Sequence, residues 1–320
     1  MCFLLDVGVG YKMKQFIHEG YRGYDLWLTV WDDVQSPKAV VQIFHGMAEH
    51  IGRYAHFAEY LNSLGYIVIG DDHRAHGRTA GEGKLGTVPE GDCFEDTIQD
   101  EILISEYVKH EYGLPLIVFG HSYGSFIAQG YIQRASADIV GAVLCGSACQ
   151  SGAPVALGKF VASAQVALQG KDKPAELIRK LTFGAYDAKF KSERKPFAWG
   201  NRDDSEREKY LADKFCDFTM SAGFYKSFFS GLSKLYKNSA LSSIRKDLPL
   251  FIISGDKDPV GGMGKLVAKL YDKYVSVGMT KVSMKLYSDA RHEILNELNK
   301  EEVYSDVADF FETCLETLAE

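Results

Sequence analysis

The sequence predicts an α/β protein: a mostly parallel central sheet with helices on both faces and a helical cap inserted into the chain. Three observations carry this prediction. Short apolar runs rich in β-branched residues alternate with longer stretches of helical spacing, the pattern of strands buried on both faces of a parallel sheet. The alternation stops after Cys149 and resumes near Leu248. One apolar run leads directly into Gly-x-Ser-x-Gly and then into a helical stretch.

Residues 1–12 begin with an apolar stretch that has no basic residue before it, carries Asp6 and shows no small-residue cleavage site, so they are expected to be a tail and not a secretion signal. Residues 24–31 alternate strictly and predict an antiparallel edge strand. Buried strands are expected at 39–44, 66–70, 116–119, 140–145, 250–254 and 282–287, and helices at 54–64, 97–110, 125–135, 265–277 and 302–318. The core is therefore assigned to residues 13–149 and 240–320, and the cap to residues 150–239. The cap is dense in aromatics, among them Phe183, Tyr186, Phe197, Trp199, Phe228 and Phe229. Most of them are expected to pack the cap onto the core, with a minority lining an apolar cavity.

At 320 residues, 46% hydrophobic and 25% charged, the chain is a folded globular protein with ample length for a large core. Its net charge of -7 is the wrong sign for displacing counterions from phosphates, which excludes nucleic acid as a partner. The six cysteines are scattered, and Cys145 and Cys149 lack metal or redox spacing, so reduced thiols in the cytoplasm are expected. No apolar run reaches the length of a membrane span. The sequence sets no oligomeric state.

The chemistry is written around Ser122. Glycines two positions either side of it suit a nucleophile on a sharp strand-to-helix turn that leaves no room for Cβ atoms. A serine hydroxyl needs a base, and the base a carboxylate, in the chain order Ser, acid, His. Asp256 and Asp258 both follow the strand at 250–254, where open α/β sheets build their sites. Asp258 is the expected acid because Pro259 fixes its loop, and Asp256 is expected to cap the Gly255 turn. His292, the only histidine after the cap, is the expected base, with Glu293 beside it a solvated charge or a helix-start residue. The oxyanion needs two N–H donors. Tyr123 follows the nucleophile, and Met47 follows Gly46 on the loop after an early strand. His45 is expected to be structural.

The runs His45-Gly46-Met47-Ala48-Glu49-His50, Gly52-Arg53-Tyr54, Asp72-His73 to His76-Gly77, Gly120 to Gly124, Gly255 to Asp258 and Ala290-Arg291-His292 resemble, in order and spacing, the monoacylglycerol lipase and lysophospholipase group of α/β-hydrolases, within the serine aminopeptidase S33 superfamily. The resemblance covers nearly all of the chain outside the tail and the cap. It implies an α/β-hydrolase fold and supports Asp258 as the acid. It also implies that Glu49 and Arg53 lie near the oxyanion loop, either contacting the substrate head group or forming an internal salt bridge, and that His121 is a packing or head-group residue. Tyr123 stands where these lipases usually have Met, and Ser125 where Gly is common.

These readings together predict a serine carboxylic ester hydrolase acting through an acyl-enzyme on a small lipid-like ester, without cofactor or metal, and touching membrane surfaces at most transiently. Two alternatives are an S33-type prolyl aminopeptidase, whose amine grip Glu193, Asp203, Asp204 and Glu206 could supply, and a non-catalytic binding protein on a hydrolase scaffold. The run Gly81 to Gly86 spells Gly-x-Gly-x-x-Gly but neither follows a strand nor opens a helix, so no dinucleotide site is expected.

Overall fold

The computed structural model describes residues 13–81 and 83–319, so the expected tail at 1–12 lies outside the described residues. Eight strands form one sheet: β1 (Lys14–Glu19), β2 (Asp25–Trp31), β3 (Ala39–Phe44), β4 (Tyr66–Asp72), β5 (Leu116–His121), β6 (Gly141–Cys145), β7 (Leu250–Gly255) and β8 (Val282–Tyr287). Their spatial order is β1-β2-β4-β3-β5-β6-β7-β8, with the pairs β1–β2 and β2–β4 antiparallel and the remainder parallel. The expected parallel α/β sheet is present, with strand limits within two residues of those read from the text.

Two strands differ from expectation. The run at 24–31 is not the edge, because β1 pairs along its outer side. The alternating exposed and buried residues of β1, flanked by Lys14 and Glu19, suit an edge facing water on one side. At the opposite end β8 is only partly buried, since no strand lies beyond it.

Successive side chains of a strand point to opposite faces, so one run of β-branched residues feeds two cores. Val40, Val118, Leu144 and Ile252 join one core with α3 (Cys93–Tyr112), α4 (Tyr123–Ala135) and α10 (Lys265–Ser276). Val41, Ile117, Val143 and Ile253 join the other with α1 (Ala55–Ser63) and α11 (Lys300–Ala319). A short helix, α2 (Gly77–Ala80), follows β4. In the register of β3 against β5, Phe44 lies opposite Gly120. The loops that leave these strands therefore emerge side by side, which brings residues 45–50 next to Ser122.

Between β6 and β7 the chain runs through α5 (Ala153–Gln169), α6 (Glu176–Lys189), α7 (Asp204–Ala212), α8 (Ala222–Leu235) and α9 (Asn238–Ser242). Helix α7 begins where the Asp203 carboxylate accepts from the N–H groups of Ser205 and Glu206, and α8 where the Ser221 hydroxyl accepts from Phe224 N–H. Helix α5 crosses α8 at Gly158, where a Cβ would lie 2.6 Å from the Phe229 ring. Helix α8 sits on α3 through Gly231, and a Cβ there would run into the buried ring of Phe94.

This contact generates a prediction. Gly231→Ala forces Phe94 against Tyr123 and Phe228, its ring neighbours, and should lower stability by about 1–3 kcal/mol, the usual range for overpacking. Urea denaturation followed by circular dichroism measures it, and an unchanged midpoint would show that the helices slide apart freely.

Candidate active site

The turn from β5 into α4 holds Ser122 at φ 51° and ψ -115°, a conformation that side chains rarely adopt. The two glycines make room for it. A Cβ at Gly120 would lie 2.6 Å from the Gly124 carbonyl oxygen, and one at Gly124 would collide with the carbonyl of Phe44. Ser122 N–H donates to the Cys145 carbonyl at 2.9 Å. The Ser125 hydroxyl bonds to the Ser122 carbonyl at 2.6 Å and reaches the Ser147 hydroxyl at 2.8 Å. Serine in place of a common glycine thus braces the turn. Tyr123, the other departure, is buried among Phe94, Phe224 and Phe228, where its ring ties the turn to α8.

The three residues named from the text as nucleophile, acid and base are brought together. Ser122 Oγ lies 2.8 Å from His292 Nε2, and His292 Nδ1 lies 3.0 Å from Asp258 Oδ2. Asp258 Oδ2 also accepts from the Ser254 hydroxyl at 2.8 Å, and Oδ1 from Val260 N–H at 2.8 Å. Asp256, the alternative, is partly exposed and pairs with Lys257. Burial alone would raise the Asp258 pKa, but His292 and these hydrogen bonds outweigh it and hold the carboxyl below its ordinary value. Burial likewise pushes His292 down, and Asp258, with smaller help from Glu293 and Glu49, draws it above the usual histidine value.

Met47 and Tyr123 both border the cavity at Ser122. Tyr123 opens α4, so its N–H is among the four first donors of a helix, which have no intrahelical acceptor. The loop carrying Met47 is fixed by Glu49: its Oε1 accepts from Gly46 N–H at 2.6 Å and from the Tyr54 hydroxyl at 2.8 Å. Arg53 bridges Glu49 and Glu293, contacting Glu293 Oε1 at 2.7 Å and Oε2 at 3.0 Å. Arg53 thereby joins the loop after β3 to the loop bearing His292, and does not line the cavity. His121 Nδ1 lies 3.0 Å from the Tyr54 hydroxyl and 3.3 Å from Glu49, with Nε2 3.4 Å from the His292 carbonyl. His45 is buried, with Nδ1 2.7 Å from the Gly46 carbonyl and Nε2 accepting from His73 N–H.

Glu293 corrects the expectation of a solvated charge and agrees with the alternative of a helix-start residue, since it precedes the 3-10 turn Ile294–Asn296. It is 4% exposed, ion-paired with Arg53 and bonded to Asn201 of the insert at 2.9 Å. The reason is reach: a long arginine on the opposite loop meets it inside the protein. Glu297, also missed, is buried and accepts from Arg291 N–H at 2.9 Å, which steadies the residue before the base. Trp199 lies with its ring 5.3 Å from that of His292, and its carbonyl accepts from His292 N–H. No local signal marks Glu297, whereas the neighbouring position of Glu293 to His292 was visible in the text.

Above Ser122 the insert encloses a largely apolar cavity of about 550 Å³. Contrary to expectation, most of the insert's aromatics line it, including Phe183, Tyr186, Phe197, Trp199, Phe228 and Phe229. Several of these rings also pack on the core, Phe228 against Phe94, Tyr123 and Phe126, while Gly158 and Gly231 allow the close approach of α5 to α8 and of α8 to α3.

A family model described as serine aminopeptidase, S33, matches residues 35–299. The chain belongs to this family. Its fold is that of the α/β-hydrolases. This S33 protein is 30% identical over 293 residues to a monoacylglycerol lipase from Mycolicibacterium smegmatis, covering 90% of this chain and 93% of the relative. It is 33% identical over 107 residues to the human monoglyceride lipase, covering 33% of this chain and 34% of that one. Among solved structures, a thermostable carboxyl esterase from Bacillus coagulans, in complex with glycerol, superimposes with a TM-score of 0.86 at 26% identity, covering 95% of this chain and 99% of that one.

Replacing Arg53 by methionine leaves Glu49 and Glu293 buried without their cation. Loss of one partner from a buried ion pair costs about 3–5 kcal/mol, so Arg53→Met should unfold at markedly lower urea concentration than the wild type. A midpoint within error of the wild type would show that the two carboxylates are solvated.

Proposed function

We propose that this S33 protein is a serine carboxylic ester hydrolase that cleaves monoacylglycerols. The reading is carried by the hydrogen-bonded chain Ser122–His292–Asp258 opening into an apolar cavity of acyl-chain size. The relatedness to monoacylglycerol lipases supports the same choice.

In the proposed cycle Ser122 Oγ attacks the ester carbonyl carbon while its proton passes to His292 Nε2. Asp258 keeps the imidazole oriented and favours its charged form. The N–H groups of Met47 and Tyr123 take the oxyanion, each worth roughly 3–4 kcal/mol in the transition state. The carbon–oxygen bond to glycerol then breaks as His292 returns the proton to the leaving oxygen. Water, deprotonated by His292, attacks the acyl-enzyme and releases the fatty acid. No cofactor enters these steps.

The aromatic walls suit the acyl chain. The charges bordering the cavity are mainly acidic, with Glu49, Asp187, Asp217 and Glu293 against Arg179, which favours an uncharged glycerol over the phosphate of a lysophospholipid. The carboxylates considered for an aminopeptidase are engaged elsewhere: Glu193 with Arg291, Asp203 at the start of α7, Asp204 with Arg207 and Lys195, and Glu206 with Lys209. Leu157, Phe160, Leu177 and Leu181 are exposed on α5 and α6, a surface suited to transient contact with a lipid interface. No helix among the described residues is long and apolar enough to cross a membrane. Cys93, Cys145, Cys149, Cys216 and Cys314 are unpaired thiols, in keeping with a cytoplasmic setting.

A fluorophosphonate probe should label the wild type and fail on Ser122→Ala; labelling that survives the substitution removes the nucleophile. On a panel of esters, the wild type should prefer monoacylglycerol over lysophosphatidylcholine and a prolyl amide. Faster amide turnover would move the assignment to a peptidase.

The base must be neutral to accept a proton, and Asp258 holds the His292 pKa above the ordinary histidine value. Activity is therefore lost as pH falls through that raised pKa, and kcat/KM should reach half its maximum above pH 6.5 on the rising limb. Asp258→Asn removes the largest interaction that raises it and should lower kcat on the order of 10⁴-fold. A rising limb centred below pH 6 in the wild type would contradict the assigned environment of His292.

A further inference from the structure

We propose that His50, Asp213 and Cys216 form a site for a divalent transition metal of the zinc class, and that a metal there pins the insert to the loop after β3. The ligating atoms of the three side chains lie within 4.8 Å of one another, and His50 Nε2 is 2.9 Å from Asp213 Oδ2. A tetrahedral ion bonded at roughly 2.0–2.3 Å to nitrogen, oxygen and sulfur spaces its ligands by roughly 3.3–3.8 Å, so small side-chain rotations accommodate it. Imidazole, carboxylate and thiolate make a donor set of the borderline softness that zinc prefers.

The local backbone presents all three groups. Cys216 N–H donates to the Asp213 carbonyl at 3.0 Å, a turn that sets the first and fourth side chains on one side. Asp213 Oδ1 is occupied by Phe215 N–H at 2.8 Å, which leaves Oδ2 facing His50. Gly52 packs against the Cε1–Nδ1 side of the ring, since a Cβ there would lie 2.8 Å from His50 Cε1 and 3.0 Å from Nδ1. The His50 and Asp213 side chains are 18% and 33% exposed, which gives an ion a way in and a water the fourth position. Among the described residues, the other cluster with metal-ligating side chains, Asp71, His73 and Glu101, differs in being completely enclosed. In that cluster, burial opposes charging of His73, but Asp71 and Glu101 draw it up to about 10, a closed ion network without an entry route.

The site spans two parts of the chain. His50 belongs to the loop that carries Met47, while Asp213 and Cys216 follow α7 of the insert. The same segment already rests on that loop: Asp217 N–H and the Tyr210 hydroxyl reach the Ala48 carbonyl at 3.1 and 3.3 Å. Asp217 and Phe218 border the cavity. Metal bonds across this seam replace a single His50–Asp213 hydrogen bond open to water, and so hold the wall of the cavity in place. On binding, the sulfur–hydrogen bond of Cys216 breaks, its proton passes to solvent and a sulfur–metal bond forms; no oxidant is involved.

The test is a titration of the reduced, full-length protein with Co²⁺, followed by absorption, and with Zn²⁺, followed by calorimetry in two buffers of different ionisation enthalpy. The expected result is one Co²⁺ per chain with a thiolate-to-cobalt charge-transfer band, release of a proton per metal, and loss of the band in Cys216→Ser. Zn²⁺ should raise the Tm of the wild type and leave that of Cys216→Ser unchanged. If Cys216→Ser does not fold, Asp213→Asn carries the comparison, with at least a tenfold weaker Co²⁺ affinity expected. Absence of the band in the folded wild type, its persistence in Cys216→Ser, or unchanged affinity in Asp213→Asn would each overturn the site. None of these readouts depends on ester hydrolysis, so this proposal and the assigned activity fail separately.

Discussion

The arrangement depends on one strained residue. Holding Ser122 at a positive φ costs on the order of 1–3 kcal/mol, and the turn persists only because its surroundings over-determine it. The supports come from four directions: the β5 ladder, the Cys145 carbonyl beyond it, the Ser125 hydroxyl in the first turn of α4, and the Phe44 carbonyl that closes over Gly124. Three of the four belong to the central strands, so the stability of the sheet is what chiefly keeps the hydroxyl turned toward His292. The position of β3 beside β5 then brings the Met47 loop alongside without any further device.

Around this turn lies a second constraint, electrostatic in kind. Glu49, Arg53 and Glu293 are taken out of water together, two carboxylates on one guanidinium. Such a group gains little net stability over apolar packing, because desolvation consumes most of the attraction. Its effect is positional. It fixes the distance between the loops of Met47 and His292, reaches the insert through Asn201 and the Tyr210 ring, and leaves an excess of negative charge that favours a protonated His292.

The sheet was legible because burial on both faces writes itself as near-continuous apolar text rich in β-branched residues, broken in Ala39–Phe44 only by Gln42. The Ser122 turn was legible because its sterics demand glycine at two fixed offsets. Strand β1 was less so: its six residues alternate in water and carry charge, a pattern shared with many loops. The pairing of Glu293 with Arg53 depends on residues 240 positions apart, and no local rule reports it. The orientation of the insert's aromatics was misjudged for a related reason. Helical spacing marks a buried face without saying whether protein or cavity lies against it, and rings such as Phe228 meet both.

Helix α6 has a weak hold on the rest of the molecule. Ile178 is its one buried residue, while Leu177 faces outward and Leu181, Phe183 and Tyr186 border the cavity. Helix α8, by contrast, is locked onto α3 through Gly231. Local opening follows the element with least to lose, so the enclosure has a pliable side and a rigid side. In the proposed reading the carbonyl to be attacked lies at Ser122 beside the rigid side, and the acyl tail extends toward the pliable one. Changes in α6 can therefore retune which chain lengths are admitted while the reacting atoms stay where they are.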